Sequence, residues 1–432
     1  MIEKQKLIRN VRRIDPLTGR ADACDVLFAR TKSGSAIRAI GKNLRVEQTD
    51  GQTVINAHGQ SACPPFTDLR CCLPDPGFSY RESMSSGLLA AQAGGFGQVL
   101  LMPVTKPLCD TPASVAAIKS SAKNLSDSRV FLCAPQSRGG LGRTLCNFEE
   151  LKNAGISAVC PDYEEGDESA AFTLDALRAC ARLDLLYIAS CRKHSIHRRG
   201  AVNDGRMAEY LNAAGVEALG ELLALTDSIT LCKYTNCRLH FPLVTLAESV
   251  ALLRRAKSEG VPITCGTAPF YFSFSEEELF FSGVRAKLDP PLRAERDRLA
   301  VIEGLRDGTI DCIVSDHTPL SEDEKSGGFK GALPGAVGLE TAFAAGITHL
   351  VLPGHLSQAE LIALLSVKPA RILGVERPFA VGSPFDLLFF DADAELIYGK
   401  NTLRSRSSNT PFFGRALHGR VTALYLDGIK QF

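Results

Sequence analysis

Asp316 and His317 stand side by side at the end of the apolar run Cys312–Ser315. A carboxylate next to an imidazole joins two of the side-chain types that most often move protons in proteins. Arg70, Lys106 and Arg293 bring positive charge from three other parts of the chain. A guanidinium fork matches a carboxylate, so with Asp316 these groups could grip a small carboxylated ligand without a metal. Taken singly, each reads as a rim salt bridge. Fourteen cysteines are present, and Cys72, Cys160, Cys191 and Cys265 fall at or near the ends of strand-like runs. Thiolates there could bind zinc. Cys71 and Cys72 are adjacent and would point to opposite faces of a strand, so at most one could serve. No C-x-x-C pair occurs, and most of the cysteines are expected to be small buried hydrophobes. Lys193-His-Ser-Ile-His-Arg-Arg199 sets two histidines three apart among positive charges, which favours a solvated loop over a metal site.

These groups need elements to position them. Strand-like runs occur at Gln98–Met102, Val130–Ala134, Ala158–Pro161, Leu185–Ala189, Arg238–Phe241, Ile263–Gly266 and Cys312–Ser315. Between them lie helix patterns such as Ser83–Ala93, Thr173–Leu183, Leu246–Ser258 and Arg293–Asp307. Such alternation implies parallel strands with crossover helices. The number of strands is near eight, so the fold class is α/β, a (β/α)8 barrel, with its chemistry where strands end and loops begin. No G-x-G-x-x-G follows the first strand and there is no P-loop, which removes the usual nucleotide-binding folds. Both ends of the chain carry strand patterns instead: Lys6–Val11, Asp25–Ala29 and Ala36–Ile40, the last after Lys32-Ser33-Gly34-Ser35, then Phe385–Phe390 and Gly419–Leu426 before Asp427-Gly428. We expect residues 1–57 plus 380–432 to form a small β-sandwich domain and residues 58–379 the barrel.

Composition narrows the function classes. Of 432 residues, 49 are basic and 48 acidic, leaving a net charge of +1. That balance provides no electrostatic footprint for nucleic acid or an anionic membrane. No apolar stretch approaches the roughly 18 residues of a membrane helix. Met-Ile-Glu-Lys-Gln-Lys at the start lacks the apolar core of a secretory signal, so a cytoplasmic location with reduced thiols is expected.

Several segments together resemble one family. They are Phe66-Thr-Asp-Leu-Arg-Cys-Cys-Leu-Pro-Asp-Pro-Gly77, Gly94-Gly-Phe-Gly-Gln-Val-Leu-Leu-Met-Pro-Val-Thr-Lys-Pro107 and Asp289-Pro-Pro-Leu-Arg293. Glu303-Gly-Leu-Arg-Asp-Gly-Thr-Ile-Asp311, Ser315-Asp-His-Thr-Pro319, Gly338-Leu-Glu-Thr341 and Lys368-Pro-Ala-Arg-Ile-Leu-Gly374 follow in order, with Asp386-Leu-Leu-Phe-Phe-Asp391 and Leu426-Asp-Gly closing the series. The chain resembles the dihydroorotases, cyclic amidohydrolases of the amidohydrolase superfamily, over nearly its whole length. The resemblance implies a barrel plus a β-sandwich from both termini. It also implies a hydrolase of cyclic amides in pyrimidine biosynthesis, converting dihydroorotate and water to N-carbamoyl-aspartate.

The departures carry as much meaning. The family opens with D-x-H-x-H, whose two imidazoles at strand spacing can reach one metal. Here those positions are Arg70 and Cys72. Arginine stays protonated and has no lone pair to give. Two further family histidines fall on Ser190 and Leu243, while His240 remains. The family's substrate arginine falls on Pro74 and its asparagine on Val104. In the segment Val159-Cys-Pro-Asp-Tyr163 either Pro161 or Asp162 takes the carboxylate ligand position. Asp316 sits where the family keeps its general base, and is expected to be idle, pairing with Arg70 or capping a helix. Arg70, Lys106, Asp289 and Arg293 are the candidate substrate-binding groups.

The resemblance therefore implies a catalytically silent dihydroorotase-like protein with no metal cofactor, acting as a structural or regulatory partner in a homo- or hetero-oligomer. Aspartate carbamoyltransferase is the expected partner. Two alternatives stand beside it: an active enzyme with zinc on a rebuilt thiolate site, and a metal-free sensor of a carboxylated ligand. Phe270-Tyr-Phe-Ser-Phe274 replaces a family T-P-H-H segment and is expected to plug the mouth. Glu322-Asp-Glu-Lys325 before Gly327-Gly328 is expected to be a flexible surface loop.

Overall fold

The computed structural model describes residues 4–31, 34–45, 53–162, 169–197 and 202–432. Lys32, Ser33, Tyr163, Arg198 and Arg199 lie outside them. Eight parallel strands follow one another around a barrel: β1 (Phe66–Cys71), β2 (Phe96–Leu101), β3 (Arg129–Pro135), β4 (Ala158–Cys160), β5 (Leu186–Ile188), β6 (Leu239–Phe241), β7 (Ile263–Thr267) and β8 (Cys312–Ile313). Cys71 bridges to His317, and the Cys72 amide donates to the His317 carbonyl at 2.9 Å, bringing the segment after β8 back to β1. The strands are short and buried on both faces, as a barrel wrapped in helices requires.

The helices begin where polar caps dictate. Ser83 and Thr111 each form reciprocal bonds with a serine three residues on, opening Met84–Ala93 and Pro112–Leu125. Ser169 caps Ala170–Leu183, and Ser357 with Glu360 boxes the start of Gln358–Leu365. A side-chain acceptor on otherwise orphaned amides stabilises a helix start by roughly 1 kcal/mol.

Strands from both termini meet in one mixed sheet of eight, with the strand Ser61–Cys63 between Lys4–Ile14 and Leu387–Ile397. The sheet thus reaches past residue 57, into the stretch assigned from sequence to the barrel, and its hydrogen bonds make one continuous sheet. Ile8, Val11, Val26, Phe28, Ile37, Phe385, Leu387 and Phe389 form its own core. Its other residues face the barrel: Leu417, Val421, Leu424 and Leu426 pack in the same cluster as Phe66, Phe96 and Phe343. Among the described residues no helix is long and apolar enough to cross a membrane.

Candidate functional site

At the mouth, the end of β1 meets the segment after β8. Asp68 is fully buried and accepts from the Ser315 amide at 2.9 Å, from the Ser315 hydroxyl and from the Arg70 amide at 3.1 Å. Burial pushes its carboxyl up to about 6 against these donors. This staple holds two side chains face to face. Arg70 Nε donates to Asp316 Oδ1 at 2.8 Å, and both side chains are largely enclosed, 14% and 6% exposed. Asp316 has φ 48°, a left-handed backbone that costs a non-glycine residue energy and that its surroundings must enforce. Gly338 is part of that enforcement, because a side chain there would collide with the Ser315 carbonyl. Burial raises the Asp316 carboxyl above its ordinary range, and the Arg70 charge draws it back.

Beside this pair opens a cavity of 140 Å³ between the ends of β4, β5 and β6. Arg70, Asp162, Ser190, Arg192, Leu243 and Asp289 line it, with Lys193, Asp227 and apolar groups completing the wall. Its cations have acid partners: Arg70 with Asp316, Arg192 with Asp289, and Lys193 with Asp227 at 2.7 Å. Asp162 accepts from the Ser137 hydroxyl and amide and from the Gly142 amide, so it pins a loop.

The candidate binding groups divide. Arg70 and Asp289 share the cavity, whereas Lys106 and Arg293 are absent from its wall. Lys106 is exposed, with its ammonium 5.3 Å from the Phe78 ring centre. Arg293 is 4% exposed and is consumed internally, donating to Thr245, to Asn203 at 2.9 Å and to the Val216 carbonyl, beside Glu221. With three of its five N–H groups donated inside the protein and Glu221 3.6 Å from the remaining nitrogen, this guanidinium is a structural group away from the cavity.

The positions where a metal ligand could be sought are equally informative. Ser190 and Leu243 line the cavity; Cys72 is buried next to it, its thiol pushed up to about 11 by desolvation. Burial drives Cys191 upward and Cys265 to about 12. His240 is fully buried, with Nδ1 2.9 Å from the Thr264 hydroxyl and Nε2 toward the Cys312 sulfur, and burial with the nearby Lys257 charge lowers it to about 3. His317 is turned away, Nε2 lying 3.5 Å from the buried Glu82 carboxylate. Among the described residues no three His, Cys, Asp or Glu side chains are grouped to hold a metal ion.

Three expectations are corrected. Phe270, Tyr271, Phe272 and Phe274 leave the cavity open, since none lines it; Phe270 and Phe274 pack on Phe412, while Tyr271 lies within charge range of Arg70 and Asp316 and its hydroxyl donates to the carbonyl of Pro290, a wall residue. Packing against Phe412 absorbs two of the rings. Glu324 and Lys325 are not a loose loop: Arg81 clasps Glu324 in a fork, and Lys325 donates to the Val284 and Lys287 carbonyls. In the Lys193 cluster, His194–His197 is a helical turn and Lys193 and His194 face the cavity. Sequence patterning carried no signal for Arg192, whose role depends on Asp289 nearly a hundred residues away; Asp68 was marked only as the aspartate opening the segment similar to D-x-H-x-H, with nothing to show its bond to Ser315.

Comparison with known proteins adds lineage to geometry. Residues 59–249 match the family model described as "Dihydro-orotase-like". The chain is 35% identical over 423 residues to a dihydroorotase of Acetivibrio thermocellus, covering 98% of this chain and 97% of that one. It is 34% identical over 399 residues to a dihydroorotase of Bacillus subtilis, covering 92% of each. Among solved structures, the L-hydantoinase (dihydropyrimidinase) of Arthrobacter aurescens superposes with a TM-score of 0.86 at 23% identity, over 99% of this chain and 96% of that one. D-Hydantoinase from a Thermus species gives 0.82 at 20% identity, over 98% and 94%. The structural likeness establishes the shared fold; the end-to-end sequence match is what makes this chain a member of the dihydroorotase family.

Proposed function

We propose that this protein is a catalytically silent dihydroorotase-type barrel that serves pyrimidine biosynthesis as a partner subunit, with aspartate carbamoyltransferase as the partner. The observation that carries the reading is the Arg70–Asp316 ion pair. A divalent ion in a hydrolase of this type polarises the carbonyl and makes hydroxide from water near neutral pH. The groups at this mouth do not suit such an ion. Arg70 offers a positive charge and no lone pair, and it occupies the carboxylate that would act as base. Ser190 and Leu243 offer at most a neutral hydroxyl. A fixed cation of this kind repels a second one over a few ångströms.

One observation favours a second reading, an active cyclic-amide hydrolase: curated relatives matching nearly the whole chain are named dihydroorotases. That reading needs thiolates at the mouth. Desolvation holds Cys72 and Cys265 at about 11 and 12, which opposes ionisation unless a metal supplies the driving force.

A dihydroorotase assay in both directions, with zinc or manganese added, decides between them. The first reading expects no turnover above background and no stoichiometric metal in protein purified without chelator. Turnover with bound zinc would establish the second. The partner role is checked by co-expression with the host's carbamoyltransferase; co-elution in size exclusion is expected, and two separate peaks at micromolar concentration would remove it.

A further inference from the structure

A second cavity lies away from the barrel mouth, where the helix ends at Ala93 and Phe343–Ala344 meet the terminal sheet and the loop after it. It has a volume of 220 Å³. Phe343, Leu396 and Val421 give it apolar walls, the Tyr398 ring and Glu340 supply polar ones, and Arg404 and Arg420 stand at its rim.

The two arginines are the unusual feature. Both are exposed, and among the described residues neither makes an ion pair. Asp391, the cross-strand neighbour of Arg420, is turned to its own turn and accepts from the Asp393 and Ala394 amides. Glu340 is held by the Arg404 and Ser405 amides at 2.8–3.0 Å and not by either guanidinium. A concave site with apolar walls and two unneutralised guanidinium groups is complementary to an anion carried on an apolar body.

We propose that this cavity binds a small organic carboxylate with an apolar body, its anionic group taken by Arg420 and Arg404. The site is separate from the mouth, so the proposal stands whether or not the barrel hydrolyses anything. Glu340 gives binding a pH dependence. It faces His317, Glu82, Tyr398, and the backbone of Arg404 and Ser405, and burial pushes it up to about 7. Ionised, it opposes an anion; protonated, it does not. Binding therefore takes up a proton and weakens as pH rises.

Benzoate is the probe, titrated calorimetrically into the full chain. Saturable binding is expected, about tenfold weaker at pH 8 than at pH 6 if only the protonated Glu340 form accepts the anion. Neutral benzamide should not bind, and inorganic phosphate should bind at least tenfold more weakly. Arg420→Gln, a surface change, should lose tenfold or more in affinity with an unchanged melting temperature. Glu340→Gln should abolish the pH dependence. Absence of saturable benzoate binding at millimolar concentration, equal binding by Arg420→Gln, or equal binding of phosphate would overturn the proposal.

Discussion

Arg70 and Asp316 define the mouth at the scale of single residues, and their value to the fold lies in being removed together or not at all. Arg70→Met leaves a buried carboxylate without its counter-charge. We expect a loss of about 2–4 kcal/mol, because breaking one partner of an enclosed pair strands the other. Arg70→Met combined with Asp316→Asn should recover most of it, since both charges then disappear while asparagine tolerates the left-handed backbone at φ 48°. Urea denaturation of the two single variants and the double variant gives the coupling directly; additive losses would contradict the pairing. His240 makes a second prediction. Its folded form is held neutral down to about 3, whereas the unfolded chain takes up a proton near 6.5. Unfolded chains therefore bind more protons through that window, and stability falls as the pH drops from 6.5 toward 3, by at most ~1.4 kcal/mol per unit from this group. Replacing it as His240→Gln should flatten the slope of unfolding free energy between pH 6.5 and 4.5, measured by chemical denaturation.

Elements position those residues through close backbone approaches. Gly338 follows the loop after β8 and lies against the Ser315 carbonyl, where no side chain fits. Gly338→Ala must push that loop outward, and with it the staple between Asp68 and Ser315. We expect a loss of about 1–3 kcal/mol, the cost typical of overpacking. Gly399→Ala is the internal control, because nothing lies within reach of its added carbon; it should change stability by less than ~0.5 kcal/mol. Melting temperatures of the two variants check the contrast. The pattern from Thr173 missed the cap at Ser169, but the start at Ser83 was readable because its cap partner Ser86 lies three residues on. The fate of Phe270–Phe274 was not, since the helical turn carrying them packs on Phe412, far along the chain.

Across the whole molecule, the terminal sheet and barrel share apolar surface. Leu417, Val421, Leu424 and Leu426 are buried in the same cluster as the barrel's Phe66, Phe96 and Leu339. Arg129 on β3 also clasps Asp386 and Asp427 from the terminal segment. Calorimetry should accordingly show one cooperative unfolding transition rather than two. Deleting residues 416–432 would expose that face and is expected to yield insoluble protein; a soluble truncated chain with an intact barrel signal would contradict a shared core.

The sequence by itself determined the alternation of strand and helix and the family likeness, because these are written in local periodicity and ordered motifs. It also placed a cation and not an imidazole at position 70, since side-chain chemistry needs no fold to be known. Only the tertiary structure decided which charges meet. Arg70 and Asp316 lie 246 residues apart and touch because the segment after β8 returns to β1. The same closure drew Arg192 toward Asp289 and drew Arg293 into the interior. Electrostatic partnership is set by distance in space, and distances between remote residues exist only once the chain has closed on itself.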